Sequence, residues 1–93
     1  MIASFADDET RTIWEGRRSR RLPGDIQATT LRKLRLLNNA RSLDDLRVPP
    51  GNRLEALRGR RAGQHSIRVN DQWRICFVWR EKNAHQVQIV DYH

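Results

Sequence analysis

The sequence predicts an α+β domain in which two N-terminal helices pack on an antiparallel sheet of roughly five strands. Helical periodicity dominates the first half, residues 48–51 (Val-Pro-Pro-Gly) interrupt it, and short segments of alternating polarity follow. The chain has 93 residues, so residues 1–93 are expected to form a single domain. Leu, Ile, Val and Phe make up about a quarter of it, above the fraction at which charged chains stay disordered.

Two helices are expected in the first half. The acids at positions 7–9 suit a helix N-terminus, and the first helix is expected to end near Gly16. A second helix is expected from an Asp25 cap to about Ala40.

The second helix is predicted to be amphipathic. Arg32 and Arg35 fall on its polar side, and Lys33 lies at the boundary, from which its long stem can reach solvent. The opposite, core-facing side is formed by Ile26, Thr30, Leu31, Leu34 and Leu37.

The second half is predicted to form the sheet. Strands are expected at 53–57, 64–69, 72–80 and 85–92, and the apolar segment 2–5 is expected to add a fifth. A three-residue loop at 70–72 is favoured over a two-residue loop because it pairs apolar residues with one another.

This register has consequences for both faces of the sheet. It pairs Val69 with Trp73, Ile67 with Ile75 and His65 with Phe77, and the alternating apolar residues 73, 75, 77 and 79 are expected to face the core. The opposite face is expected to carry Ser66, Arg68, Arg74 and Cys76.

The charge balance favours a polyanionic partner. Lys and Arg number 18 against 11 Asp and Glu, a formal net charge of +7, and nearly all these cations are Arg, whose planar fork suits phosphate and bases. A GC-rich genome would produce the same Arg bias without any function.

Two clusters stand out, Arg17, Arg18, Arg20 and Arg21 in one and Arg58, Arg60 and Arg61 in the other. For each the alternative is a solvated surface, although loop placement and a nearby Arg74 favour function for the second.

Several classes of protein are disfavoured. The single Cys76 cannot form an internal disulfide, and three scattered histidines have no metal-ligand spacing, so neither a metal nor another cofactor is expected. The longest apolar run is five residues, 75–79, and residues 1–10 lack the order of a signal peptide. The expectation is a cytoplasmic protein without a membrane partner.

The chain ends with three side chains suited to proton transfer and stacking, Asp91, Tyr92 and His93. Strict alternation places Tyr92 on the face opposite Asp91 and His93, so all three share a site only if the strand ends or bulges there. The alternative is structural: Asp91 pairs with an arginine, Tyr92 packs and His93 is a frayed end.

Five segments carry a family resemblance: RKL at 32–34, PPGNRLE at 49–55, LRG at 57–59, AGQHSIRVNDQWR at 62–74 and DYH at 91–93. Together they strongly resemble HigB-type toxins, the killer-protein branch of the RelE superfamily. The resemblance implies a RelE-like microbial RNase fold and an endonuclease that cleaves mRNA in the ribosomal A site. It also implies a HigA-type helix-turn-helix antitoxin as partner, with operator DNA contacted only through that antitoxin.

The resemblance also implies functional residues. Its cleavage residues match Arg58, Arg74, Asp91, Tyr92 and His93, whereas some relatives carry His where this chain has Glu55, so the acid or base role of Glu55 is open. Residues expected to bind RNA or the ribosome are Arg17, Arg18, Arg20, Arg21, Arg60, Arg61 and Arg68.

Metal-independent RNA cleavage needs a base for the ribose 2′-hydroxyl, cations on the transition state and an acid for the leaving 5′-oxygen. Arginines serve only as the cations, which leaves His93, Asp91 and Glu55 for proton transfer and Tyr92 for stacking. Two alternatives remain: a ParE-like gyrase poison, which needs no proton-transfer end, and a non-catalytic basic nucleic-acid-binding module.

Overall fold

A computed structural model describes residues 1–92 and has the predicted α+β architecture. Its helices and strands, in chain order, are α1 (Asp8–Trp14), α2 (Gly24–Asn39), β1 (Glu55–Ala56), β2 (His65–Arg68), β3 (Trp73–Arg80) and β4 (Asn83–Asp91). Short 3₁₀ turns lie at Leu43–Arg47, Pro50–Asn52 and Gly59–Arg61. Within the described residues, no helix combines the length and the apolar character needed to cross a membrane.

The two predicted helices are present, with one corrected cap. At α1 the carboxylate of Asp7 accepts a hydrogen bond from the backbone N–H of Thr10 at 2.9 Å, as its acidic start predicts. The prediction that Asp25 caps α2 is wrong, because α2 begins at Gly24 and Asp25 lies inside its first turn. A carboxylate there still complements the helix dipole.

Four of the five residues predicted for the apolar side of α2 are buried and Leu31 is partly buried, but Lys33 is also buried. Lys33 was expected to extend toward solvent, but it is only 8% exposed, and its Nζ donates to Oδ1 of Asn52, a residue with no exposed surface. Asn52 in turn donates from Nδ2 to the carbonyl oxygen of Leu46 at 3.1 Å. Lys33 therefore links α2 to the two 3₁₀ turns that lead into the sheet.

Within residues 1–92 the sheet has four strands in the order β1-β2-β3-β4, all antiparallel. The predicted hairpin register is confirmed, with Ile67 opposite Ile75 and His65 opposite Phe77. Strand β1 is shorter than the predicted 53–57, because Arg53 has a left-handed backbone (φ 45°) that delays its start.

The prediction of a fifth strand at residues 2–5 is wrong. This segment runs parallel to β4 and makes two isolated bridges, Ile2 with Ala84 and Phe5 with Val87. Between them β4 carries a bulge at Gln86 (φ 52°), and the extra residue interrupts the regular spacing that a continuous ladder requires.

The core lies between the helices and one face of the sheet. It joins Ile13 of α1 and Leu34 and Leu37 of α2 to Ile75 and Phe77 of β3. Because side chains alternate along a strand, Arg74 and Cys76 point to the other face. That second face, which we call the open face, positions the candidate site.

Candidate active site

Arg74 is the centre of the site on the open face. Although it is only 7% exposed, its guanidinium is hydrogen-bonded: Nε donates to Oγ of Ser66 at 2.7 Å, and Nη2 donates to the carbonyl oxygen of Arg53 at 2.7 Å. The left-handed backbone of Arg53 directs that carbonyl toward β3. These contacts hold a positive charge in one orientation, because charge-assisted hydrogen bonds are strong when shielded from water.

Two further predicted site residues lie beside Arg74. Glu55 is the register partner of Ser66, so it shares the open face, and its Oε2 lies 3.6 Å from Nη2 of Arg74. The ring of Tyr92 lies 5.6 Å from the guanidinium carbon, a cation–π distance, while Tyr92 remains 43% exposed. A carboxylate, a guanidinium and an exposed aromatic ring thus converge at one end of the sheet.

Asp91, the first residue of the C-terminal triplet, is placed differently from Tyr92. Asp91 pairs with Trp73, whose neighbours along that face are core residues, so Asp91 lies across the sheet from Arg74. Its Oδ2 accepts a hydrogen bond from Nε2 of Gln72 at 3.1 Å. His93 lies outside the described residues.

The second arginine cluster contributes one side chain to the open face. Arg58 and Arg60 are exposed around the Gly59–Arg61 turn, where Gly59 has a φ of +66°. Arg61 is half-buried, and its Nη1 donates to Oε1 of Gln64 at 3.1 Å and Oε1 of Gln88 at 3.2 Å. Gln88 belongs to β4, so this contact crosses the open face.

The first arginine cluster lies in the helical layer, in the loop between α1 and α2. Gln27 of α2 holds this loop: its side chain accepts from the N–H of Ser19 and donates to the carbonyl oxygens of Ser19 and Leu22. The arginines of this loop are exposed. Nε of Arg21 lies 3.5 Å from Oε1 of Glu9. The exposed members are Arg17, Arg18, Arg20 and Arg21.

Arg68 does not join Arg74. It faces Arg74 in the β2–β3 register, but its guanidinium pairs with Asp71 in the hairpin loop. The two arginines share the predicted face, and the guanidinium of Arg68 is held in an ion pair at the hairpin.

With this geometry in place, comparison with known proteins assigns the family. Residues 3–93 match RelE-like toxins of the type II toxin-antitoxin system HigB. The chain belongs to the HigB-like toxin family. It is 42% identical to Toxin HigB-1 of Vibrio cholerae serotype O1 over 80 residues, which cover 85% of this chain and 84% of that protein. It is also 31% identical over 80 residues to an uncharacterized protein of Haemophilus influenzae, covering 85% of this chain and 77% of that one.

Membership of the HigB-like family makes this protein a toxin of a type II toxin-antitoxin system, and such a toxin has an antitoxin partner. Among residues 1–92, no group of three or more His, Cys, Asp or Glu side chains is arranged to hold a metal ion. The side chains that the described open face brings together include guanidinium groups, the carboxylate of Glu55 and the phenol of Tyr92.

Three residues of this HigB-like site were not assigned a role from the sequence. Ser66 was placed on the correct face by the hairpin register, but its bond to Arg74 needs coordinates. Gln64 and Gln88 were missed. Gln88 alternates with buried Val87 and Ile89, a pattern that indicates a polar side chain on the opposite face.

Cys76 is buried between these groups on the open face, where it pairs with Ser66 on one side and Gln88 on the other. Burial raises the pKa of the Cys76 thiol, while the guanidinium groups of Arg61 and Arg74 oppose that rise. The thiol is therefore held in its neutral form, which suits a packing residue better than a nucleophile.

Proposed function

We propose that this HigB-like toxin is a ribosome-dependent endoribonuclease that cleaves mRNA in the ribosomal A site and so inhibits translation. The observation that carries the proposal is the constellation of Arg74, Glu55 and Tyr92 on the open face. In this proposal the protein acts in the cytoplasm and is neutralised by a HigA-type helix-turn-helix antitoxin. Operator DNA is then contacted only through the antitoxin.

The proposed reaction is a transesterification that needs no metal. The ribose 2′-oxygen attacks the adjacent phosphorus, a 2′-O–P bond forms and the P–O5′ bond breaks. The 2′-hydroxyl proton goes to a base, and an acid supplies a proton to the leaving 5′-oxygen. The products are a 2′,3′-cyclic phosphate and a 5′-hydroxyl.

Arg74 is suited to stabilise the charge that develops on the phosphate. Ser66 and the Arg53 carbonyl hold its guanidinium before substrate arrives, so little reorganisation is needed in the transition state. Its ion pair with Glu55 is half exposed and spans 3.6 Å, an arrangement that an incoming phosphate can displace. Arg58, exposed at the neighbouring turn, assists as a second cation.

Proton transfer is assigned to the imidazole and carboxylate side chains, His93, Asp91 and Glu55, because guanidinium groups stay protonated. His93 acts as general acid or general base. Glu55 is supported by its position beside Arg74, and Asp91 would require the end of β4 to move, since it lies on the other face. The exposed ring of Tyr92 stacks on a nucleobase.

In this proposal the ribosome supplies the substrate geometry that so small a site lacks. Holding the mRNA with its 2′-oxygen in line with the scissile bond converts a slow encounter into an intramolecular step. Arginine clusters on the protein bind ribosomal RNA through its phosphates, with an affinity that falls as salt rises.

The proposal is tested by primer extension on a defined mRNA, with and without programmed ribosomes. We expect the wild-type protein to cut within the A-site codon only when ribosomes are present. His93→Ala and Arg74→Ala should abolish these cuts, whereas Arg80→Ala, an exposed arginine at the far end of β3, should retain them.

Two results would contradict the proposal. Growth arrest with intact mRNA would redirect the search to a ParE-like attack on gyrase. Growth arrest that survives His93→Ala but weakens in Arg17→Ala and Arg18→Ala would indicate a non-catalytic nucleic-acid-binding module.

A further inference from the structure

A second guanidinium, that of Arg61, is held on the open face by hydrogen bonds. Ser66, Cys76 and Gln88 are register partners on β2, β3 and β4, so they form one row that spans two strand spacings, roughly 10 Å. Nε of Arg74 is bonded to Ser66 at one end of the row. Nη1 of Arg61 is bonded to Gln88 at the other end.

The two guanidinium groups offer different donors. Nε and Nη2 of Arg74 are used by Ser66, the Arg53 carbonyl and Glu55. Arg61 makes its contacts within residues 1–92 through Nη1 alone, which leaves the edge formed by Nε and Nη2. That edge is the fork with which arginine binds two phosphate oxygens at once.

The partners of Arg61 orient it without cancelling its charge. Both acceptors are neutral amide oxygens, from Gln64 and Gln88, whereas a carboxylate in either position would compete with an anionic substrate. The neighbouring Arg58 and Arg60 are exposed, and Arg61 is half-buried against the sheet. Arg61 is thus the member of its cluster that the fold places beside the row.

We propose that Arg61 binds the scissile phosphate of the RNA together with Arg74, and that Gln64 and Gln88 are positioning residues for Arg61. Arg74 supplies a fixed charge and Arg61 a two-donor fork, one from each end of the row. Arg61 then joins Arg74 and Arg58 as a further phosphate-binding cation. This inference rests on the proposed endoribonuclease function.

The test is the single-turnover cleavage rate of a defined mRNA at saturating programmed ribosomes. Arg61→Gln should lower this rate by about 100-fold, since loss of one transition-state donor has effects of that order. Arg61→Lys keeps the charge but loses the fork, so its rate should stay well below that of the wild type. The control is Arg80→Gln, which removes the same charge from an exposed residue at the far end of β3 and should cleave like the wild type.

A second measurement separates positioning from folding. Gln88→Leu should slow cleavage less than Arg61→Gln does, and the double variant should be no slower than Arg61→Gln alone, because Gln88 acts through Arg61. Thermal unfolding of each variant checks that the fold is retained.

Each outcome decides between the proposals. Cleavage by Arg61→Gln at the rate of Arg80→Gln would overturn the inference while the proposed function stands. Additive losses in the double variant would overturn the positioning role of Gln88. A wild-type protein that cuts no mRNA would overturn the proposed function and this inference with it.

Discussion

Two buried basic residues of this protein differ in the groups that surround their positive charges. Arg74 and Lys33 are both less than a tenth exposed, but Arg74 has an anionic neighbour in Glu55, whereas the ammonium of Lys33 is bonded to the neutral amide of Asn52. Burial, followed by the nearby charge of Arg32, lowers the pKa of Lys33. Lys33 therefore makes stability depend on pH.

The direction of that dependence follows from proton linkage. In the folded protein Lys33 loses its proton at a lower pH than in the unfolded chain, so between the two pKa values the unfolded state binds more protons. Stability then rises with pH, by at most about 1.4 kcal/mol per pH unit for one proton. We expect the free energy of unfolding of the wild type, minus that of Lys33→Met, to increase from pH 7 toward pH 10.

The measurement is denaturant unfolding of both proteins across this pH range. Titration of Cys76 and other shared groups cancels in the difference, and Lys82→Met, at the exposed β3–β4 turn, controls for loss of a lysine. A difference in unfolding free energy that stays constant or decreases as the pH rises would contradict the burial of the Lys33 ammonium.

At the level of residues, sequence patterns predicted which face of an element a side chain lies on better than they predicted which residue it contacts. The hairpin register placed Ser66, Arg74 and Cys76 on one face, because polarity along two adjacent strands left one pairing with a consistent core. The partner of Lys33, Asn52, is 19 residues away in the sequence. The pattern within the helix therefore predicted only that the Lys33 side chain extends toward solvent. Such a contact depends on how a helix and a turn pack, which periodicity within the helix does not contain.

Strand β4 is the element on which the site most depends, because it carries Gln88 and leads to Tyr92. Its outer edge is paired by neighbouring segments instead of a fifth strand: residues 1–6 bond to Ala84 and Val87, and the N–H of Ile89 donates to Oγ1 of Thr10 at 2.9 Å. Thr10 has no exposed surface. A helix side chain thus completes the hydrogen bonding of the strand next to the open face.

Removal of that hydroxyl should destabilise the protein. Thr10→Val keeps the shape but leaves the buried N–H of Ile89 without an acceptor, at a cost of about 1–3 kcal/mol. For a chain of this length the melting temperature should fall by roughly 5–20 °C. Thr12→Val is the matched control, since the hydroxyl of Thr12 donates to the Asp8 carbonyl at an exposed position of the same helix. Equal melting temperatures for the two variants would show that Thr10 does not hold β4.

The elements themselves were predictable where one periodicity extended over many residues. Strand β3 and helix α2 were found within one or two residues of their ends because their apolar spacing is long and regular. The bulge at Gln86 was not predictable from alternation, because it places both Ala84 and Val87 in the core. The same bulge is the reason that residues 2–5 bridge to β4 without forming a strand.

At the scale of the whole molecule, the net charge of +7 is distributed over two layers. The loop with Arg17 and Arg18 belongs to the helical layer, and the Gly59–Arg61 turn borders the open face. Because the sheet and core separate them, a substrate on the open face does not reach the first cluster. Under the proposed function, we therefore expect the first cluster to serve affinity for the ribosome and the second to serve both affinity and chemistry.

This separation makes a prediction about salt. Each phosphate contact contributes about 0.7–0.9 to the slope of log affinity against log salt concentration. The double variant Arg17→Gln/Arg18→Gln should therefore bind ribosomes without mRNA with a slope reduced by roughly 1.4–1.8. Its single-turnover cleavage rate at saturating ribosomes should equal that of the wild type, because neither residue approaches Arg74.

The control must remove the same charge from the same layer. Arg32→Gln/Arg35→Gln does so on the exposed side of α2, outside the proposed RNA-binding set, and should leave the slope close to that of the wild type. If both double variants reduce the slope equally, binding responds to net charge alone and the loop at 17–21 has no specific contact. If only the Arg17/Arg18 variant does so, with cleavage unchanged, the helical layer docks on ribosomal RNA while the open face acts on the message.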